Sequence, residues 1–188
     1  MLVRLLSVIV VCGCVCLSVT CRYGFLILYK SYIRPHLEYC VQSWSPNLIK
    51  DITCLEQIQR RAATLVHGLR KCTYQERLAF LGLTTLKTRR LRGDLIETYK
   101  ILTHKEHTDP NQFFKLCDSG HNLRGHSYET IYPGKPNARL NVRKHFLSHR
   151  VIEHWNQLPQ HVVDAPSVNS FKNRLDRHWK LLEPDTGI

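Results

Sequence analysis

Apolar residues recur at every third or fourth position through most of this 188-residue chain, and that spacing limits its fold more than any other feature. The clearest stretch places Ile52, Leu55, Ile58, Ala62 and then Leu65 or Val66 on one stripe. Gln57, Arg60, Arg61 and Thr64 fall largely outside it, and Gly68 is the expected C-cap. The same rule predicts a helix from about Leu86 to Thr103, with Leu91, Leu95, Tyr99 and Leu102 inside. It predicts another after a Ser167 cap, carrying Val168, Phe171, Leu175, Trp179 and Leu182. Between Tyr23 and Tyr39, Leu26, Tyr29, Ile33 and Leu37 share a stripe that Pro35 should kink or end. Thr73 and Glu76 read as a capping box for a short helix from Tyr74 to Phe80, stopped by Gly82. Asp109-Pro110 is a cap and first-turn pair for a short helix through Leu116. Phe146, His149 or Arg150, Ile152 or Glu153, and Trp155 give one more helix, which ends before Pro159. No alternating run is long enough for a sheet, although Arg139 to Val142 reads as one strand. The expected fold is mainly α.

Four stretches differ in material. Residues 1–22 form a hydrophobic leader in which Arg4 is the one charge before Arg22. Its apolar run, residues 5–21, is short for a transmembrane helix, which needs about 20 apolar residues. A signal peptide or anchor in contact with a membrane, a buried helix, and a fortuitous apolar leader all fit. Residues 23–116 are the main helical region. Residues 117–138 are rich in Gly, Pro and charge without apolar periodicity, and read as a linker with at most a short extended piece. Residues 139–182 form a C-terminal helical segment. Eight cysteines are present, four of them in the leader. Cys40, Cys54, Cys72 and Cys117 are scattered, make no close pair, and are expected to pack as small apolar side chains.

With 27 Lys and Arg against 15 acids, the formal net charge is +12. Such a balance favours nucleic acid or an anionic membrane as partner and says nothing about fold. From Arg60 to Glu106 there are eleven bases against four acids. The bases interleave with core positions, so they decorate folded helices. Arg60 and Arg61, then Lys87, Arg89, Arg90 and Arg92, form one candidate surface for an RNA or DNA backbone. Arg139, Arg143, Lys144 and Arg150 form a second. The plainer account of each is a solvated face. Trp155 and Trp179 fall on apolar stripes and read as core, whereas Trp44 precedes a Ser-Pro-Asn turn and is open to either reading.

Residues able to do bond chemistry are sparse. Phosphodiester chemistry needs carboxylates that share Mg²⁺. The aspartates (Asp51, Asp94, Asp109, Asp118, Asp164, Asp176 and Asp185) are never adjacent. There is no Gly-rich phosphate loop and no zinc-protease helix motif. Cys117, His121 and His126 form one weak zinc constellation, with polar-loop histidines as the alternative. No cofactor and no catalytic residue is expected.

Four blocks carry a resemblance. LYKSYIRPHLEYCVQSWSP (residues 28–46), LEQIQRRAATLVHGLR (55–70), YQERLAFLGLTTLKTRRLRGDLIETYKIL (74–102) and HFLSHRVIEHWNQLPQHVVDAPSVNSFKNRLDRHW (145–179) resemble, in order, the end of the reverse transcriptase region of non-LTR retrotransposons of the jockey type. The resemblance spans roughly residues 26–180. It implies a small helical thumb-like bundle followed by a C-terminal helical segment, with the leader as a hydrophobic N-terminal helix foreign to the family. The family's activity is RNA-directed DNA synthesis with two Mg²⁺ ions. Its paired-aspartate palm motif, its endonuclease residues and the zinc knuckle of some relatives have no counterpart here. The resemblance therefore implies a catalytically inactive remnant that keeps non-specific RNA or DNA binding. The basic thumb-like helices, with Arg60, Arg61, Arg89, Arg90 and Arg92, are the part that carries over. A small membrane-anchored or secreted helical protein, directed by the leader, is the alternative.

Overall fold

The computed structural model describes residues 21–116, 130–131 and 145–182, and these are mainly α-helical. The leader's residues 1–20, most of the 117–138 stretch, the expected 139–142 strand, Arg143, Lys144 and the Cys117–His121–His126 constellation lie outside the described residues. The chain divides into two compact units, residues 1–40 with 46–90, and residues 41–45 with 91–188.

The first unit begins with α1 (Arg22–Leu28), a π-helical turn (Tyr29–Ile33) and α2 (Arg34–Glu38). Pro35 explains the sequence of types. Its ring has no N–H and crowds the preceding turn, and a widened turn absorbs that without ending the helix. Pro35 therefore sits in the first turn of α2, where a missing N–H costs nothing. The expected stripe holds: Tyr29 and Leu37 are buried, with Leu26 and Ile33 half-buried.

Next in this unit, α4 runs Ile49–Ala63 and α5 runs Tyr74–Leu81. Phe25, Tyr29, Ala62, Ala63, Val66, Leu69 and Leu81 make the core, and the Phe25 and Tyr29 rings stack at 5.6 Å. One expectation for α4 changes: the helix stops at Ala63, so Gly68 (φ +84°) shapes the following turns and does not cap it. Of the two residues offered for the end of the stripe, Val66 is the buried one and Leu65 is exposed, and the helix also buries a polar residue, Gln59. The capping box is complete. Thr73 N–H donates to Glu76 Oε2 at 2.6 Å, Glu76 N–H donates to Thr73 Oγ1 at 3.4 Å, and Gly82 ends α5 in the left-handed region. Thr73→Ala is expected to lower stability by about 1 kcal/mol in urea titration. The Thr73 backbone N–H, and then its hydroxyl, hold the Glu76 carboxyl below its ordinary pKa. A depressed carboxyl stabilises above its unfolded pKa, and that contribution is lost as pH falls through the folded value. Acidification should therefore fray the first turn of α5 in the wild type and change it less in Thr73→Ala, as read by amide exchange.

The helix α6 spans Leu86–Leu102, with residues 86–90 assigned to the first unit and 91–102 to the second. In the second unit its stripe of Leu95, Tyr99 and Leu102 is buried and Leu91 half-buried. The short helix α3 (Val41–Trp44) belongs to the same unit. The Asp109-Pro110 pair starts only a 3-10 turn, Pro110–Gln112. Lys115–Leu116 leaves the expected helix to become β1, paired antiparallel with β2 (Thr130–Ile131). The two aromatic rings that follow the turn account for this, because Phe114 is buried in the core beside half-buried Phe113 and the chain leaves extended.

The C-terminal helices are α7 (Leu147–Arg150), α8 (Ile152–Asn156), α9 (Gln160–Val163) and α10 (Val168–Leu182). Ser167 caps α10, accepting from Ser170 N–H at 3.2 Å. The core is aromatic: Tyr99 and Phe171 stack at 4.3 Å, Trp155 lies 6.1 Å from Phe171, and the Tyr99 hydroxyl donates to the Ala165 carbonyl. Phe146 departs from expectation; it is 55% exposed, and Leu147 and Val151 take the inner positions. Cys40 and Cys54 are exposed, which corrects the expectation that they would fill apolar space, while Cys72 packs against a core as expected and Cys117 lies outside the described residues.

Candidate nucleic-acid interface

Charge is distributed very unequally. The first unit holds 13 of the 27 bases but 4 of the 15 acids; the second holds the remaining 14 and 11. Three of those four acids serve the fold. Glu38 pairs with Arg89 and lies 3.7 Å from Arg34. Glu56 accepts the Leu86 N–H at 3.2 Å and the Tyr74 hydroxyl. Glu76 closes the capping box. The fourth, Asp51, sits in the first turn of α4, where a negative charge suits the helix dipole. The bases of this unit consequently set its outward field.

Arg60 and Arg61 occupy the last turn of α4, and both are exposed. Their charge suits that end of the helix, the purely structural reason for bases there. The Arg60 guanidinium lies over the Tyr74 ring, 4.5 Å from its centroid. Tyr74 is fixed in turn, because Gln59 Nε2 donates to its oxygen at 2.9 Å and its own hydroxyl donates to Glu56. Burial first, then the Glu56 hydrogen bond and charge, push the Tyr74 hydroxyl far above its ordinary pKa, so it remains a donor. A second such stack places Arg22 5.0 Å from the Phe80 ring. Lys87 is exposed on the first turn of α6. Lys30, Lys50, Arg70 and Lys71 are also exposed in this unit, and sequence reasoning did not single them out.

The other sequence candidates have different placements. Arg89 gives Glu38 a two-pronged contact, with Nη2 donating to Oε2 at 2.9 Å. Arg90 is 5% exposed. Arg92 belongs to the second unit and holds Asp176 at 2.7 and 2.8 Å. Arg150 is occupied by Asp94 in the same unit. Arg143 and Lys144 lie outside the described residues. The structure thus leaves Arg60, Arg61 and Lys87 exposed, and commits Arg89 and Arg92 to intrachain carboxylates. Those partners lie 51 and 84 residues away in sequence, so no local pattern could have found them.

Trp155 is fully buried and Trp179 packs against the core, as their stripes imply, while Trp44 is 39% exposed. Among the described residues no group of three or more His, Cys, Asp or Glu side chains is placed to hold a metal ion. No described helix is long and apolar enough to cross a membrane. No protein-family model, curated protein or solved structure matches the chain.

Proposed function

We propose that this chain binds RNA or DNA without sequence preference, through the phosphate backbone and the exposed bases of its first unit, as a catalytically inactive remnant of a retrotransposon reverse transcriptase. The observation that carries the binding is the one-sided use of charge: acids support the fold, while Arg60, Arg61 and Lys87 stay exposed. Each base that neutralises a phosphate releases counterions, so affinity falls steeply with salt. Arginine stacked on an aromatic ring is held at lower entropic cost than a free side chain, which suits Arg60 to this work. The remnant reading rests on the four ordered sequence blocks and their resemblance to thumb and post-thumb segments. It assigns the protein no nucleotide incorporation, and primer extension with Mg²⁺ should give no product.

The test is a salt titration of single-stranded RNA binding. Replacing Arg60, Arg61 and Lys87 together by alanine should make the log-log salt slope shallower by about 2, at roughly 0.7 per lost contact. Lys180→Ala removes an exposed base from the second unit and should leave the slope unchanged. Equal slopes for the triple variant and the wild type would reject the assignment.

A further inference from the structure

The second unit contains a cavity of about 550 Å³ whose described lining includes Gln42, Ser43, Gln112, Phe113, Phe146 and His149, together with Leu147 and Ser148. Cavities that take small organic ligands run from roughly 300 to 1,000 Å³. We propose that this cavity binds a nucleobase, an identity that rests on the nucleic-acid reading above and extends it from phosphate to base.

The lining determines the chemistry. Among the described residues it contains no Lys, Arg, Asp or Glu, so none of them offers an anionic or strongly cationic group a counter-ion there. Two of its residues are phenylalanines, and their conditions differ. Phe113 packs against the core as part of the cavity's apolar side, whereas Phe146 is 55% exposed. An exposed ring on the lip of a cavity loses solvent contact when a flat ligand stacks on it. The polar groups are of the matching kind. Among the described residues, no hydrogen bond engages the side-chain amides of Gln42 and Gln112 or the hydroxyl of Ser43. An amide offers one acceptor beside a donor pair, the pattern with which glutamine reads a base edge. A hydrophobic ligand would leave these amides unpartnered.

The site is also built in advance. Arg150 donates to the carbonyls of Val41 at 3.2 Å and Gln42 at 3.1 Å, which fixes α3, and to the carbonyl of His145 at 2.8 Å, just before Phe146. Its Nε and Nη2 also donate to the two carboxylate oxygens of Asp94, at 2.8 Å each. One ion pair, with its carboxylate buried and its guanidinium partly so, therefore fixes two of the cavity's walls. The third follows from the 3-10 turn, whose Pro110 carbonyl accepts the Phe114 N–H at 2.8 Å. Ser148 Oγ and His149 Nδ1 lie 3.2 Å apart and orient the imidazole. Little ordering cost is left for the ligand to meet.

The base could arrive as a free nucleoside or within a single strand, and the test separates the two. The full chain is titrated with adenosine and with uridine, both uncharged, at high salt, and followed by ligand-observed saturation-transfer NMR. Saturable binding in the millimolar range or tighter is expected, weakened about tenfold by Phe146→Ala and severalfold by Gln112→Ala, both replacements at exposed positions. An adenine ten-mer and an abasic strand of equal length form the second arm. An advantage of the base-bearing strand that Phe146→Ala abolishes identifies a base within a strand; nucleoside binding without that advantage identifies a free nucleoside. If nucleosides fail to bind while the ten-mer still binds with a steep salt slope, the cavity assignment is wrong and the phosphate reading stands. If nucleosides bind and neither strand shows salt-dependent binding, the phosphate reading falls and the cavity stands. Undiminished nucleoside binding to both Phe146→Ala and Gln112→Ala overturns the site.

Discussion

Asp94→Ala should destabilise the protein by about 3–5 kcal/mol, the range found when one partner of a buried ion pair is removed. Asp94 is 3% exposed and receives two charge-assisted hydrogen bonds from Arg150, each 2.8 Å. The Arg150 side chain is itself only 17% exposed. With the carboxylate gone, a guanidinium stays largely out of water and is balanced only by the Val41, Gln42 and His145 carbonyls. The unmatched charge, more than the lost attraction, accounts for the size of the effect. Arg150→Met removes that charge and should cost less on the Asp94→Ala background than on the wild type, giving a double-mutant coupling of roughly 1–3 kcal/mol. Urea denaturation measures both. A loss below about 1 kcal/mol for Asp94→Ala would mean that the pair is solvated, as surface pairs are.

Gln59→Leu should cost about 2–5 kcal/mol, although leucine has a helix propensity about equal to that of glutamine and a similar volume. Gln59 is 1% exposed and every polar atom of its amide is used. Its Oε1 accepts the Tyr29 hydroxyl, and its Nε2 donates to the Tyr74 oxygen at 2.9 Å and to the Thr84 carbonyl at 3.0 Å. Burial first, then the Glu38 charge, push the Tyr29 hydroxyl far above its ordinary pKa, so it stays a donor. Leucine leaves that donor with no acceptor in place of the amide, and frees the Tyr74 oxygen and the Thr84 carbonyl as well. Tyr29→Phe on the Gln59→Leu background should recover part of the loss, since an apolar pair is cheaper than half a polar one. No recovery would place the cost in packing.

The helices were legible because their stripes are long. Leu95, Tyr99 and Leu102 repeat without interruption, as do Phe171 and Leu175, and each group is buried. The capping box at Thr73 was equally plain, because its chemistry is complete within four residues. What escaped were features decided by distant residues. Gln59 looks like any surface glutamine beside Arg60 until Tyr29, Tyr74 and Thr84 close around it. Arg89 and Arg92 share a basic run with Lys87, and only the tertiary positions of Glu38 and Asp176 distinguish them from it. The cavity is drawn from three short segments about 70 and 35 residues apart, none with a motif of its own.

The polar cluster around Gln59 has a consequence for how the sequence can diverge. An apolar stripe drifts gradually, because isoleucine or methionine can stand in for leucine at modest cost. Tyr29, Glu56, Gln59 and Tyr74 have no such stand-ins, since each closes a bond that another leaves open. A substitution at any one of them leaves a bond of another unmade, so the effects of substitutions at the four positions should be coupled and not additive.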